Sequence, residues 1–511
     1  MRKALFAIFG MAAMFVACSQ TVSASSNDDE EKASATDSSD SKGTGDGSSG
    51  LDSSEYVLDK DCVGEPGKPW DGTTAKEFAC GSGTKLSPFV ILTAEQLAHL
   101  SFVVNAKDKN FSGKYYKLAA DIKLNDGKVI DDKGGLVGDS AKLHKWTPIG
   151  NSSVAFDGTF DGNGHTVSGM FINTTSTHNG LFGNSNGTVS NVTVDNSWVT
   201  GGKFTGGIIG NISGTATVAN AINRATIVGT GDGIGGVVGN YTFVCCNKIG
   251  TVKNVKNYGM ISALKYVGGV IGSAQDIVIS ETENHTDVSG TSLTGGIAGN
   301  LGKNSKLSNS RNFGNVTGNE SVGGIIGNYG YCCSKGAAGD ITNIKNSGKI
   351  DGKEYVGGIV GKNENSTNKG AVNTGAVNGK KYVGGLFGYI NNSTTNSIYN
   401  TADVSGTISV GGVIGYNKEG VTNSAYSTGK VDGDSLVGLM IGYNYNTTMA
   451  DYYYLKQGDQ EPFGQNNGGG VATPKTETEM KSADFAKLLG DDFVYDSGLN
   501  DGYPVLAWEK E

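Results

Sequence analysis

The chain has 511 residues, of which 81 are glycine and only 7 are proline, and its formal net charge is −9. An acidic chain with dispersed lysines is poorly suited to binding nucleic acid or anionic lipid surfaces. The glycines do not recur at every third position, so the composition excludes collagen and indicates a β-protein that is dense in turns.

The segment before Glu55 predicts an export signal followed by a tether. Residues 1–17 place Arg2 and Lys3 before an apolar run, which is typical of a secretory signal peptide. The run ends in FVAC, which resembles a bacterial lipoprotein cleavage site and predicts that Cys18 is acylated and anchors the protein to a membrane. An ordinary signal with a chance cysteine is the alternative. Residues 18–54 are mostly Ser, Asp and Gly and predict a disordered tether.

Residues 55–149 predict an ordered N-terminal flank and cap. Cys62 and Cys80 bracket a short segment, and in an exported protein such a pair predicts a disulfide. Thr93 and Gln96 form a capping-box pattern before an amphipathic helix that runs to about Val104. A strand is predicted at residues 114–124. We expect this helix and strand to cover the first exposed strand edge of the structure that follows.

Residues 150–447 contain ten near-copies of one seven-residue phrase, of which VGGIIGN at residues 322–328 is typical. Most copies follow one another at a nearly constant interval, and two intervals are longer. A fixed period of roughly 27 residues predicts a solenoid. The last glycines of the ten copies are Gly183, Gly210, Gly239, Gly272, Gly299, Gly327, Gly361, Gly388, Gly415 and Gly442.

An asparagine recurs at the same period, each time before a segment of the form x-[Val/Ile]-x-Gly. These short Val- and Ile-rich segments are punctuated by Gly and Asn, which indicates strands and corners rather than helices. We therefore predict an all-β parallel β-solenoid of about ten coils with small α/β caps at both ends, and a ladder of asparagine amides along the stack. The asparagines are Asn223, Asn257, Asn284, Asn312, Asn346, Asn373 and Asn400.

The phrase Gly-[Leu/Ile/Val]-[apolar]-Gly at this period resembles the GLUG motif of bacterial cell-surface proteins, which is found in adhesin-like proteins and beside the protease part of some IgA peptidases. The resemblance covers about residues 150–447 and implies a right-handed β-helix. Residues 158–170 and 480–508 are similar to the segments that commonly open and close such helices. Residues 448–511 are therefore expected to cap the far end, with a helix that ends near Gly490.

The sequence predicts no catalytic residue, metal site or cofactor. The five histidines are dispersed and no His-Glu-x-x-His is present, so the metalloprotease signature that would accompany the motif in IgA peptidases is missing. Stacked coils could still bring carboxylates such as Asp157 and Asp161 within the ~5–9.5 Å that glycoside hydrolysis needs. Most Asp-Gly pairs are turns, however.

The corner directly after the closing glycine is the predicted ligand-binding surface. Tyr389, Tyr416 and Tyr443 occupy the same place in three successive coils. Aromatic rings on a polar ridge suit sugar rings, which present apolar faces and hydroxyl rims. The alternative is that the tyrosines stack only on one another and shield the corner. The predicted surface also includes Tyr241 and Tyr329, one residue further on, and Phe243 and Tyr331 in the two longest corner loops.

Those two loops also carry adjacent cysteines, Cys245-Cys246 and Cys332-Cys333. Three coil spacings, roughly 14 Å, separate them along the predicted stack, whereas a disulfide needs Cα atoms within about 7 Å. Either the loops lean together and cross-link, or each adjacent pair closes on itself. Zinc binding by four thiolates is a third alternative. With Cys18 acylated, six cysteines remain, an even number that is consistent with full oxidation.

These features predict a lipid-anchored protein of the bacterial outer membrane or cell surface. An acidic run at residues 27–31 is similar to the signals that send some lipoproteins to the cell exterior. The predicted role is adhesin-like: a monomeric, rigid β-solenoid that binds a polysaccharide or a glycan or protein of another cell, and not nucleic acid. The alternatives are a β-helix carbohydrate-active enzyme (a glycoside hydrolase or lyase) and a purely structural spacer.

Overall fold

In a computed structural model, residues 62–242, 248–302, 304–330 and 339–510 are described. The chain winds through four parallel sheets, and each regular coil contributes a strand to every sheet. The solenoid has about 13 turns of ~27 residues. The predicted fold class is therefore confirmed, whereas the predicted ten coils are too few. Cys18 and the tether lie outside the described residues.

The first sheet has 18 strands and carries the recurring asparagines at its strand ends. Its strands are Phe89–Ile91, Tyr115–Leu118, Ile122–Lys123, Thr159–Asp161, Thr166–Ser168, Thr188–Ser190, Thr193–Asp195, Thr217–Asn223, Gly250–Asn257, Ile277–Ser280, Glu283–Asn284, Lys306–Asn312, Asp340–Asn346, Thr367–Asn373, Thr394–Asn400, Val421–Ser427, Thr448–Leu455 and Ala472–Lys475.

The second and third sheets follow in each coil. The second consists of Phe171–Asn173, Trp198–Gly201, Thr226–Gly229, Ile261–Ser262, Val288–Ser289, Val316–Thr317, Ile350–Asp351, Val377–Asn378, Val404–Ser405 and Val431–Asp432. The third consists of Thr205–Gly206, Asp232–Gly235, Lys265–Gly268, Ser292–Gly295, Glu320–Gly323, Glu354–Gly357, Lys381–Gly384, Ile408–Gly411 and Ser435–Gly438.

Each strand of the fourth sheet begins within the seven-residue glycine-rich phrase or its equivalent and completes a coil. The sheet consists of Phe182–Ser185, Ile209–Ser213, Val238–Thr242, Ile271–Ala274, Ala298–Leu301, Ile326–Tyr329, Val360–Glu364, Phe387–Asn391, Ile414–Lys418, Ile441–Tyr445 and Phe463–Asn467. The two glycine-rich sheets meet at the phrase, where the second glycine of one coil packs on the backbone of the next. A Cβ on Gly296, for example, would lie 2.2 Å from the carbonyl oxygen of Gly324.

The core of the solenoid is a column of apolar side chains that also contains buried polar side chains, the most regular of which form a row of asparagines. Val322, Ile325 and Ile326 of the typical phrase are fully buried. The asparagines from Asn223 to Asn400 are also fully buried, and each amide donates to the side-chain oxygen of the next at 2.7–2.8 Å. The predicted amide ladder is confirmed. Because every amide in this row has partners, the row does not carry the desolvation cost of unpaired groups.

The N-terminal flank belongs to the solenoid rather than lying outside it. Cys62 and Cys80 form the predicted disulfide, and a helix with the predicted capping box spans Ala94–Asn105. The predicted strand at residues 114–124 is two strands, and the parallel pairing runs from Phe89–Ile91 through Tyr115–Leu118 to Thr159–Asp161. At the other end, the parallel pairing of the first sheet continues to Ala472–Lys475. The predicted solenoid bounds of 150–447 are therefore too narrow at both ends.

The C-terminal segment, residues 477–510, lies on the outer face of the first sheet. It contains helices Glu477–Met480 and Ala483–Leu489 and the antiparallel strands Phe493–Val494 and Val505–Leu506. Short 3-10 turns complete the described part of the chain: Lys109–Phe111, Ser140–Lys142, Asn500–Gly502 and Ala507–Lys510. None of the helices in the described ranges is long and apolar enough to cross a membrane.

The prediction that this segment caps the end of the stack is wrong. Tyr399 and Tyr426 point outward from the first sheet, stack at 4.8 Å, and are buried by the segment together with Phe485 and Phe493. Tyr399 donates a 2.6 Å hydrogen bond to Glu509. Apolar side chains on the outer face of these coils stabilise the segment at the side of the solenoid, because burying them removes apolar area from water.

Candidate functional site

The position directly after the closing glycine forms one continuous column on the fourth sheet. In register along the stack it holds Asn184, Asn211, Asn240, Ser273, Asn300, Asn328, Lys362, Tyr389, Tyr416, Tyr443 and Gln465. In the first half, asparagine amides bond along the column, for example Asn328 to Asn300 at 2.8 Å. The side chains of this column therefore change from mostly amides in the first half to phenols in the second half, while the strand pairing stays the same.

The three tyrosines of this column lie against one another as the sequence predicts. The ring centroids of Tyr389 and Tyr416 are 5.3 Å apart, and those of Tyr416 and Tyr443 are 4.9 Å apart. All three side chains are half-buried. Among the described residues, no hydrogen-bond partner meets the hydroxyl of Tyr389 or Tyr416, so both groups remain able to bind a ligand hydroxyl.

Two tyrosines that the sequence analysis missed extend this surface. Tyr355 and Tyr382 come from the third sheet and stack on each other at 5.2 Å. Tyr355 also contacts Tyr389 edge-on at 5.7 Å, and Tyr382 lies 5.5 Å from Tyr416. We call these five residues the tyrosine ladder: Tyr355, Tyr382, Tyr389, Tyr416 and Tyr443.

The backbone explains how the third-sheet tyrosines reach the fourth sheet. Tyr355 and Tyr382 have φ of 55° and 56°, in the left-handed region that bulky residues rarely adopt. The paired residues on either side remain in register, so the bend turns only the tyrosine out of the strand. The sequence pattern that could have revealed these two tyrosines is their position one residue before Val-Gly-Gly in successive repeats.

Two lysines beside the tyrosine ladder are paired with glutamates. Lys381 lies 4.5 Å from the Tyr382 ring centroid and 3.3 Å from a Glu354 oxygen. Lys362 lies 5.9 Å from the Tyr389 ring centroid and 3.3 Å from a Glu364 oxygen. The Glu320 and Glu419 carboxylates lie near Tyr355 and Tyr416 and, beyond the effect of burial, raise their pKa values slightly further, so the surface offers ring faces and hydroxyls without favouring an acidic ligand. Such a surface suits an uncharged ligand.

Burial raises the pKa of Tyr389 to about 12, and the Glu364 carboxylate adds to this effect. A buried phenolate is disfavoured, so the hydroxyl stays protonated well above the ordinary tyrosine pKa of about 10. The pKa values of Tyr355 and Tyr416 are raised in the same direction, again mainly by burial.

We expect a spectrophotometric titration to show this shift. The difference in phenolate absorbance between the wild type and Tyr389→Phe should contain one group that ionises near pH 12. The measurement is a stopped-flow pH jump, so that the spectrum is read before alkaline unfolding. Tyr445, which is 42% exposed, provides the matched control through Tyr445→Phe. A Tyr389 midpoint near 10 would contradict the burial of its ring.

Two predicted members of the surface lie inside the solenoid instead. Tyr241 and Tyr329 are buried, and their hydroxyls donate to the carbonyl oxygens of Gly214 and Ser305 at 2.8 and 2.6 Å. The prediction that they bind ligand at the corner is wrong. They follow the column by one residue, and successive side chains of a strand point to opposite faces.

The remaining predicted site residues lie outside the described residues. These are Phe243, Tyr331, Cys245, Cys246, Cys332 and Cys333 in the two long loops, and Cys18 near the start. Within the described ranges, no three His, Cys, Asp or Glu side chains are grouped so as to hold a metal ion.

Comparison with known proteins gives local similarities only. The chain is 31% identical over 231 residues to halomucin of Haloquadratum walsbyi, covering 40% of this chain and 2% of that protein. It is 35% identical over 149 residues to the "Putative Gly-rich membrane protein" of Evansella cellulosilytica, covering 27% and 15%. The chain thus spans a small fraction of the length of these relatives. No family model matches it.

Among solved structures, the chain is similar to a "putative immunoglobulin A1 protease" from Bacteroides ovatus. The match has 17% identity and a TM-score of 0.37, and it covers 84% of this chain and 95% of the other.

Proposed function

We propose that this protein is a surface-anchored β-solenoid that binds a polysaccharide or a cell-surface glycan through the tyrosine ladder. The observation that carries the proposal is the continuity of the ladder. Ring contacts of 4.9–5.7 Å connect tyrosines from successive coils along the direction of the stack. Aromatic faces with a polar rim are well suited to sugar rings.

The dimensions of the ladder favour an oligosaccharide over a single sugar. Its members come from four successive coils, whose strands pair in register. Three coil spacings of about 4.8 Å make a surface roughly 14 Å long. The paired lysines and glutamates beside it provide hydrogen-bonding groups, and the nearby Glu320 and Glu419 carboxylates disfavour an acidic ligand. A neutral glycan that lies along the stack fits these properties.

The proposed location at the cell surface rests on the export signal and on Cys18 as the anchor. The names of two relatives, halomucin and a "Putative Gly-rich membrane protein", are consistent with this location. Another cell that carries the glycan would then be the partner.

The test uses substitutions that the fold already accepts in other coils. Because Asn300 and Asn328 occupy the same column upstream, we expect a Tyr389, Tyr416 and Tyr443→Asn variant to fold. If each lost ring face costs about 1 kcal/mol, the variant should bind about 100-fold more weakly. The measurement is affinity electrophoresis and calorimetry with a panel of neutral polysaccharides.

The matched control is Tyr266→Leu. Tyr266 has the same left-handed backbone position as Tyr355 and Tyr382 but belongs to another part of the stack, and Leu293 fills that position in the next coil. The control should bind like the wild type. Equal binding by the folded asparagine variant would refute the ladder as the site, and failure of the wild type to bind any glycan would refute the proposed function.

A further inference from the structure

A second stack of planar side chains runs along the end of the first sheet. Its members each follow one of the buried asparagines: Arg224, Tyr258, His285 and Phe313. The Arg224 guanidinium carbon lies 4.4 Å from the Tyr258 ring centroid. His285 lies 4.5 Å from Tyr258 and 4.7 Å from Phe313, with ring planes within 17° of parallel. Phe313 is 45% exposed, and the next coil has only Ser347 at this place.

A groove of about 250 Å³ lies beside this stack, where the C-terminal segment ends on the first sheet. Trp508 of the C-terminal segment borders it, and the other lining residues are Asn254, Lys256, Glu281, Glu283, Asn309 and Arg311. Arg311 lies two residues before Phe313 in the chain, and its guanidinium carbon is 6.0 Å from the Trp508 ring. The groove therefore combines polar side chains with the aromatic ring of Trp508 at its border.

The lysines around the groove are already paired, whereas the arginine is not. Lys256 binds Glu283 at 2.9 Å, and Lys345 binds Glu509 at 2.8 Å. His285 also lies 2.8 Å from Glu283. Although burial opposes it, the contacts with Lys256 and His285 lower the pKa of Glu283. Among the described residues, no carboxylate lies within ion-pair distance of Arg311.

Arginine is itself rare in this chain. Its only arginines are Arg2, in the predicted signal peptide, Arg224 and Arg311. The two in the described structure thus belong to this one stack and its groove, although lysine serves everywhere else as the cation. A planar guanidinium binds a carboxylate through two parallel hydrogen bonds, which an ammonium group cannot reproduce.

We propose that this groove binds an acidic saccharide. Arg311 binds the sugar carboxylate, and the face of Trp508 contacts a sugar ring. The amides of Asn254 and Asn309 supply hydrogen-bonding groups for the hydroxyls. This site is separate from the tyrosine ladder in position and in ligand charge, and it does not depend on the function proposed for the ladder.

The test is calorimetric titration of the chain from Ser19 to its end with oligomannuronate. Carboxyl-reduced oligomannuronate is the matched neutral ligand. We expect the reduced ligand to bind at least 10-fold more weakly than the acidic one, and Arg311→Gln to lower affinity for the acidic ligand by a similar factor. Arg311→Lys should recover only part of the loss, because it keeps the charge but not the paired hydrogen bonds.

Two controls separate this proposal from a general charge effect and from the ladder. Lys306→Gln removes another cation of the first sheet, one that is paired with Asp340 at 3.7 Å and does not line the groove, and it should leave affinity unchanged. The variant with asparagine at Tyr389, Tyr416 and Tyr443 should bind oligomannuronate as the wild type does. The proposal is overturned if oligomannuronate does not bind, if the reduced ligand binds equally, or if Arg311→Gln has no effect.

Discussion

A Gly324→Ala variant is expected to lose more than about 3 kcal/mol of its free energy of unfolding. Gly324 is the second glycine of the typical phrase. A Cβ there would lie 2.0 Å from the carbonyl oxygen of Gly358 and 2.4 Å from Cγ of Asn346. The first neighbour is backbone of the next coil, so the clash can be relieved only by moving two coils apart. That movement would also lengthen the buried amide contacts.

The measurement is chemical denaturation followed by far-UV circular dichroism. Gly498→Ala is the matched control, because the nearest atom to its added methyl group would be an Asp496 oxygen at an ordinary 3.5 Å. The control should change stability by less than about 1 kcal/mol. If Gly324→Ala unfolds at the same denaturant concentration as the control, the close contact between coils is not what requires glycine in the phrase.

An Asn312→Asp variant should lose about 3–5 kcal/mol at neutral pH. The Asn312 amide donates to Asn346 at 2.8 Å and to the Gly314 carbonyl at 2.7 Å, and its oxygen accepts from Asn284 at 2.7 Å. Aspartate has the same shape but no donor. It would place a buried carboxylate against two acceptor oxygens.

The pH dependence of this variant distinguishes charge from packing. Burial would raise the pKa of the introduced carboxyl, so stability lost at neutral pH should return in part as the pH falls and the group is protonated. Asn319→Asp, at an exposed position, is the control and should stay within about 0.5 kcal/mol of the wild type. An Asn312→Asp variant as stable as this control would mean that the amide ladder is not a stabilising feature.

The repeat period carried most of the information about the fold. A period of ~27 residues per turn places the same residue at the same point of every coil, so the buried asparagines and the packed glycines could be predicted without any knowledge of tertiary structure. Tyr389, Tyr416 and Tyr443 were predictable for the same reason. The interior positions of Tyr241 and Tyr329 were also predictable, because the same position in other coils is occupied by the apolar residues Ile212, Leu301 and Ile390.

Other features depend on contacts that no period reveals. Tyr355 and Tyr382 join the tyrosine ladder through a left-handed backbone bend between two sheets, and the sequence shows only that they recur. The docking of residues 477–510 depends on which outward face is apolar. Tyr399 and Tyr426 signalled such a face, but the segment that covers it is distant in the chain. The Arg311 groove exists only because that segment ends beside it.

The C-terminal segment changes how this part of the stack can unfold. In an ordinary solenoid each coil touches only its neighbours, so coils can be lost one at a time from an end. Here Glu509 binds both Lys345 and Tyr399, and Asp492 binds both Lys369 and Ser397. Single carboxylates thereby join coils that are not all adjacent. Terminal fraying therefore requires the segment to detach first, after which several coils become free to unzip together, so this end of the stack behaves as one cooperative unit.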